Sequence, residues 1–181
     1  MAAERVWERC RRAAQALDAA GVPYAVAGGN AVAEWVGRVD EGAVRNTRDV
    51  DILIRRDDFA AAKLALENAG FVYHRLLEVD TFLDGPHGKP SEAVHLLFAR
   101  EKVRDDLEFL TPDVADSERA SSFQVASLES LVRMKLMANR DKDRTHLRDL
   151  IGVGLIDASW PGRFPPLLAH RLQRLLDDPN G

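Results

Sequence analysis

The chain has 181 residues, 46% of them hydrophobic, and a formal net charge of −4, which suits one core of ordinary domain size and gives no global positive field toward nucleic acid or anionic membranes. Its single cysteine, Cys10, excludes an internal disulfide and a zinc site built on several thiolates, and fits a reducing cytoplasm. Charges are spread through the first twenty residues and no run of about 18 apolar residues occurs, so neither a signal peptide nor a membrane span is expected.

From Glu4 to Ala20, residues Val6, Trp7, Cys10, Ala14 and Leu17 recur at helical spacing until Gly21 and Pro23, which predicts an amphipathic helix. "PYAVAGG" then reads as a buried strand closed by a tight turn, and "NAVAEWVG" as a short helix opening at Asn30 as its cap. "RVDEGAVRNT" is a loop by composition, and "RDVDILIRR" is a Val- and Ile-rich strand. Asp57 or Asp58 is expected to cap the helix "FAAAKLALENAG", which Gly70 stops.

"FVYHRLLEVDTFLDG" alternates as one strand or a strand bent into two, "GPHGKP" is a turn, and "SEAVHLLFA" is another buried strand. Residues 101–122 are mostly polar and broken by Pro112, so a loop or short strands are expected there. In "SLESLVRMKLMANRDKDRTHLRDL", Leu128, Leu131, Val132 and Leu136 form a helical stripe, and "PGRFPPLLAHRLQRLLDD" gives a last short helix. The expected organisation is an α/β core with its N-terminal helix over residues 1–110 and a helical part over 111–181 packed on it as one unit.

Asp49 and Asp51 stand out because residues two apart in a strand share a face, so two carboxylates sit side by side within an apolar run. Such a pair repels itself and resists burial unless arginine, solvent or a divalent cation offsets it. Carboxylate pairs suit the hard cations used in phosphoryl transfer. Gly28 and Gly29 join a strand to a helix and allow close backbone approach to a phosphate. No Gly-Lys-Ser/Thr loop is present, and "GVG" at Gly152–Gly154 lacks the remainder of a dinucleotide fingerprint.

Strand, Gly-Gly, short helix and Asp-x-Asp on a second strand, here "AVAGGNAVAEW" and "RNTRDVDILI", resemble the nucleotidyltransferase superfamily of the DNA polymerase beta type. Arg45-x-Thr47-x-Asp49-x-Asp51 looks most like its minimal and AbiEii-like bacterial members, over roughly residues 20–155. The resemblance implies an α/β (α+β) nucleotidyltransferase fold, a mixed sheet flanked by helices with further helices at the C-terminus. It implies that Asp49 and Asp51 bind Mg²⁺ or Mn²⁺, and that Gly28 and Gly29, with Asn30 beside them, cradle the triphosphate of an NTP. Lys135 would contact phosphate, and Thr47 and Arg45 would brace the site.

Two departures from the family pattern matter. "VDEGAV" lengthens the glycine-to-aspartate connection and brings Asp40 and Glu41 near the site, and the third carboxylate position is matched by His95 in "EAVHLLFA". Imidazole suits Mg²⁺ poorly but can act as a general base. Glu92 has the opposite strand parity to His95 and faces away unless the strand begins after it. Arg140, Lys142, Arg144 and Arg148 concentrate positive charge that could guide a polyanion such as RNA.

The leading expectation is a cytoplasmic, metal-dependent enzyme moving an NMP from an NTP to a hydroxyl on RNA, protein or a small molecule, with Asp49, Asp51 and His95 as catalytic residues. The alternative is a degenerate member that binds nucleotide, or a partner protein in a toxin–antitoxin pair, without catalysis.

Overall fold

In a computed structural model, residues 2–103 and 108–178 are described; the 104–107 part of the expected 101–122 connection lies outside them. Among the described residues, six α-helices, α1 (Ala2–Ala19), α2 (Gly28–Gly37), α3 (Phe59–Asn68), α4 (Leu128–Ala138), α5 (Asp141–Gly152) and α6 (Pro166–Asp177), share a core with one mixed sheet. Its strands are β1 (Tyr24–Ala27), β2 (Val50–Ile54), β3 (Val72–Leu76), β4 (Val79–Leu83), β5 (Val94–Phe98), β6 (Ser117–Arg119) and β7 (Gln124–Ala126). They lie in the order β3-β4-β5-β2-β1-β7-β6. β2 pairs antiparallel with β1 and parallel with β5, and β7 runs parallel to β1, so the sheet includes residues on both sides of position 110.

The two faces of the sheet differ. Val26, Val50, Ile52, Ile54, Val94 and Leu96 point into the main core, which also takes Cys10, Leu17 and Leu66 from α1 and α3. The opposite face carries Ala25 and Leu53 under a small cluster with Ala99, Val114 and Ala126, and further along the same face come Asp51 and His95. Alternation therefore buries one row and leaves the charged row under a thin, small-residue cover.

Several boundaries differ from the sequence expectation. α2 begins at Gly28, directly after β1, with Ala27 at its N-cap and no side-chain cap. Asn30 is instead buried in the first turn, and its amide donates to the Asp49 carbonyl at 2.7 Å. Asp58 precedes α3 without a capping hydrogen bond, because residues 56–58 form a 3₁₀ turn. The expected bent strand is a two-strand hairpin, β3–β4. The long C-terminal stripe is two helices, broken where Asn139 takes a left-handed conformation with φ of 49°. Ser127 does cap α4, accepting from the Ser130 amide at 3.2 Å.

Buried Arg9 links α1 to the segment before β2 and to the end of β4. Its Nε donates to Asp84 at 3.1 Å and its Nη1 to the Arg48 carbonyl at 3.1 Å, immediately before Asp49. None of the described helices is long and apolar enough to cross a membrane.

On α5, His146 is partly buried and its Nδ1 has no hydrogen-bond partner among the described residues. Burial, assisted by the charge of Lys135, lowers its pKa to about 4. An unfolded histidine titrates near ~6.5, so as pH falls the unfolded chain takes the proton first and stability drops between that value and the folded one. His146→Leu should reduce the stability lost between pH 7 and pH 4.5 by about 2 kcal/mol relative to wild type in urea unfolding. Equal losses in both proteins would contradict the assignment.

Candidate active site

Register places the site chemistry in one row across the sheet. Ala27 of β1 pairs with Asp51 of β2, Asp51 with His95 of β5, and His95 with Thr81 of β4. Asp49 stands one residue ahead of β2 with the same parity as Asp51. One ligand atom from each of Asp49, Asp51 and His95 falls within 4.8 Å of the others. His95 Nδ1 lies 3.5 Å from Asp51 Oδ1, and about a fifth of each side chain is exposed.

The charges of this cluster support one another. The hydrogen bond to Asp51 raises the pKa of His95 against the opposing effect of burial, with help from the charges of Asp51 and Asp49 and a bond to the Pro90 backbone. Burial alone would push the Asp51 carboxyl up; His95, Lys135 and Lys142 together outweigh it, and its pKa is lowered.

The glycine turn and the aspartates fit each other sterically. Gly28 has φ of +60°, and a Cβ there would overlap the Asp51 carboxylate. A Cβ on Gly29 would come within 2.7 Å of Thr47 Oγ1. Thr47 Oγ1 in turn donates to Asp49 Oδ1 at 2.9 Å, so Thr47 packs between the second glycine and the first aspartate.

Opposite the acids sits a buried cation. Lys135 of α4 is 5% exposed and its Nζ donates to Asp143 at 3.1 Å. Asp143 is fully buried and also accepts from Arg140 Nε at 2.7 Å and from the Arg140 amide at 3.3 Å. Burial lowers the Lys135 pKa despite Asp143 and Asp51; for Asp143 burial acts upward, but Arg140 and Lys135 outweigh it and hold the carboxylate ionised. Sequence reasoning missed Asp143; the available signal was its position three residues after Arg140, at the third residue of α5, where a carboxylate satisfies a free helix amide.

Gly28, Asp49, Asp51, His95 and Lys135 line one cavity of about 430 Å³, together with Arg140, Lys142 and Asp143. Gly29, Asn30 and Thr47 are not among the residues lining it. Arg45 is turned toward α5, donating to Asp149 at 2.7 Å. Glu92 belongs to the turn Pro90–Glu92 before β5, and Asp40 accepts from the Gly42 amide at 2.8 Å. Neither Glu92 nor Asp40 and Glu41 are among the residues lining the cavity.

The donor set fits a divalent cation: two carboxylates and an imidazole converge on one space, with glycine backbone beside them. Carboxylate oxygens suit Mg²⁺ and Mn²⁺ alike, whereas an imidazole nitrogen is better matched to Mn²⁺.

No protein-family profile matches the chain, and no curated protein matches it in sequence. Solved structures do share its fold. An antigenic nucleotidyltransferase-like protein from Paracoccidioides brasiliensis superposes with a TM-score of 0.63 at 19% identity, covering 98% of this chain and 89% of that one. ANT(2'')-Ia in complex with adenylyl-2''-tobramycin gives 0.55 at 16% identity, over 90% of this chain and 94% of that one. The chain has the nucleotidyltransferase fold.

The packing of Gly28 against Asp51 gives a direct test. Gly28→Ala should cost about 1–3 kcal/mol in thermal or urea unfolding and weaken Mn²⁺ binding measured by electron paramagnetic resonance. A variant with unchanged stability and unchanged Mn²⁺ binding would contradict this geometry.

Proposed function

We propose that this chain is a metal-dependent nucleotidyltransferase that moves an NMP from an NTP to a hydroxyl acceptor. The observation that carries the reading is the convergence of Asp49, Asp51 and His95 beside the Gly28 turn, with Lys135 across the same cavity. Asp49 and Asp51 would hold Mg²⁺ or Mn²⁺. The bound cation supplies charge neutralisation on the phosphates and polarises the α-phosphorus centre.

The remaining work falls to the chain itself. The uncapped first turn of α2, at Gly28 and Gly29, offers backbone amides to phosphate oxygens, and Lys135 and Arg140 bring positive charge to the same space. Thr47, Asn30 and, through Asp149, Arg45 hold the aspartate loop rather than touch nucleotide. The acceptor oxygen bonds to the α-phosphorus as the α–β bridging bond breaks and pyrophosphate leaves. His95, whose Nδ1 is turned to Asp51, would in its neutral form accept the hydroxyl proton at Nε2.

One observation favours a second reading. His95 occupies the register position beside Asp51 where the fold resemblance implies a third carboxylate, so a chain that binds nucleotide or a partner protein without turnover, as in a toxin–antitoxin pair, is the rival. Its bacterial origin and cytoplasmic location belong to the same proposal.

Calorimetry with Mg-NTPs separates these readings. Wild type should bind, and Asp49→Ala/Asp51→Ala should bind at least about 100-fold more weakly, with label from α-³²P-NTP appearing in an acceptor only for wild type. Identical binding by both proteins would contradict the metal site. Transfer gained only on His95→Asp would favour the inactive rival.

A further inference from the structure

The β3–β4 hairpin carries a residue that local structure does not explain. Its two-residue turn, Leu77–Glu78, has φ of 47° and 65°, the left-handed pair of a turn that favours Asn-Gly. Glu78 is paired with Arg75 at 2.8 Å. Leu77 makes no such contact, is 99% exposed, and combines a conformation poor for its Cβ with an unburied apolar side chain. Asparagine would serve the turn and the solvent better.

Leu77 is nevertheless part of the cavity wall, with Leu76 and Val79 at the hairpin's paired ends and Leu97 on the sheet floor. Met134 and Met137 of α4 line the same cavity. The carboxylates among its described lining residues are Asp49, Asp51 and Asp143. The first two belong to the acid cluster and the third is bonded to Lys135 and Arg140. An amine-rich acceptor therefore finds cations and apolar side chains here rather than free carboxylates.

Resting on the transfer reading above, we infer that the hydroxyl acceptor is a small, uncharged or anionic compound with an apolar or aromatic body, seated under the β3–β4 hairpin with Leu77 as its lip. In-line displacement places the attacking hydroxyl opposite the leaving pyrophosphate. The glycine turn, at the β1 end of the row Ala27–Asp51–His95–Thr81, takes the phosphates, so the acceptor approaches from the β4 end, where the hairpin stands. The cavity of about 430 Å³ also has to take the nucleotide, which leaves room beside it for a small acceptor body only.

The probe is 2-naphthol, a neutral fluorescent alcohol with an aromatic body, titrated into wild type and Leu77→Asn with and without Mg²⁺ and α,β-methylene ATP. Wild type should show one saturable site that persists when the nucleotide analogue is bound and that tobramycin does not displace. Leu77→Asn should weaken it about tenfold while thermal stability is kept or raised and nucleotide affinity stays unchanged. Absence of saturable naphthol binding, no effect of Leu77→Asn, or displacement by the nucleotide analogue would overturn the inference, the last by assigning the apolar wall to the nucleobase. The nucleotide-free titration reads the wall independently, so failure of the analogue to bind counts against the transfer reading alone.

Discussion

The site depends on a carboxylate occupying space that only glycine leaves free. Asp51 projects from β2 into the volume a Cβ on Gly28 would fill, and Gly28 takes a left-handed φ that ends β1 and starts α2 without an intervening loop. The antiparallel register of β1 and β2 brings these two residues together, with Ala27 opposite Asp51. A phosphate-sized ligand at the first turn of α2 is therefore within reach of the acids by construction of the sheet.

Around that contact the charges are arranged in opposition. Asp49 and Asp51 lie on the sheet, and Lys135, Arg140 and Lys142 face them from α4 and the start of α5. Asp143 fixes two of these cations by accepting from both, in a buried setting where electrostatic attraction is strong and an unpaired charge is costly. The break at Asn139 turns the chain so that Arg140 and Asp143 meet Lys135 from the next helix. Cations on one wall and carboxylates on the other are the arrangement that the proposed nucleotide transfer needs.

Much of this was legible in the sequence because it rests on local parity. Asp49 and Asp51 share a face by strand alternation, and His95 was set beside them by the family resemblance, a placement that the β2–β5 register shares. Gly28-Gly29 was readable as the turn that closes β1, although α2 opens at Gly28 itself and not at Asn30. What escaped rests on contacts distant in sequence or on single dihedral angles. Asn30 looked like a helix cap but serves the Asp49 carbonyl 19 positions away, and Asp149, the partner of Arg45, lies 104 positions from it. The buried role of Asp143, the left-handed Asn139 and the exposed Leu77 turn leave no periodic signal.

The central claim is that Asp49 and Asp51 present a cation to a nucleotide whose phosphates lie on the Gly28–Gly29 turn. Crystals grown with Mn²⁺ and α,β-methylene ATP test it through the anomalous scattering of manganese. The account predicts an anomalous peak bonded to both aspartates, with the triphosphate against the first turn of α2 and near Lys135. A nucleotide bound elsewhere, or manganese held without either aspartate, would contradict it.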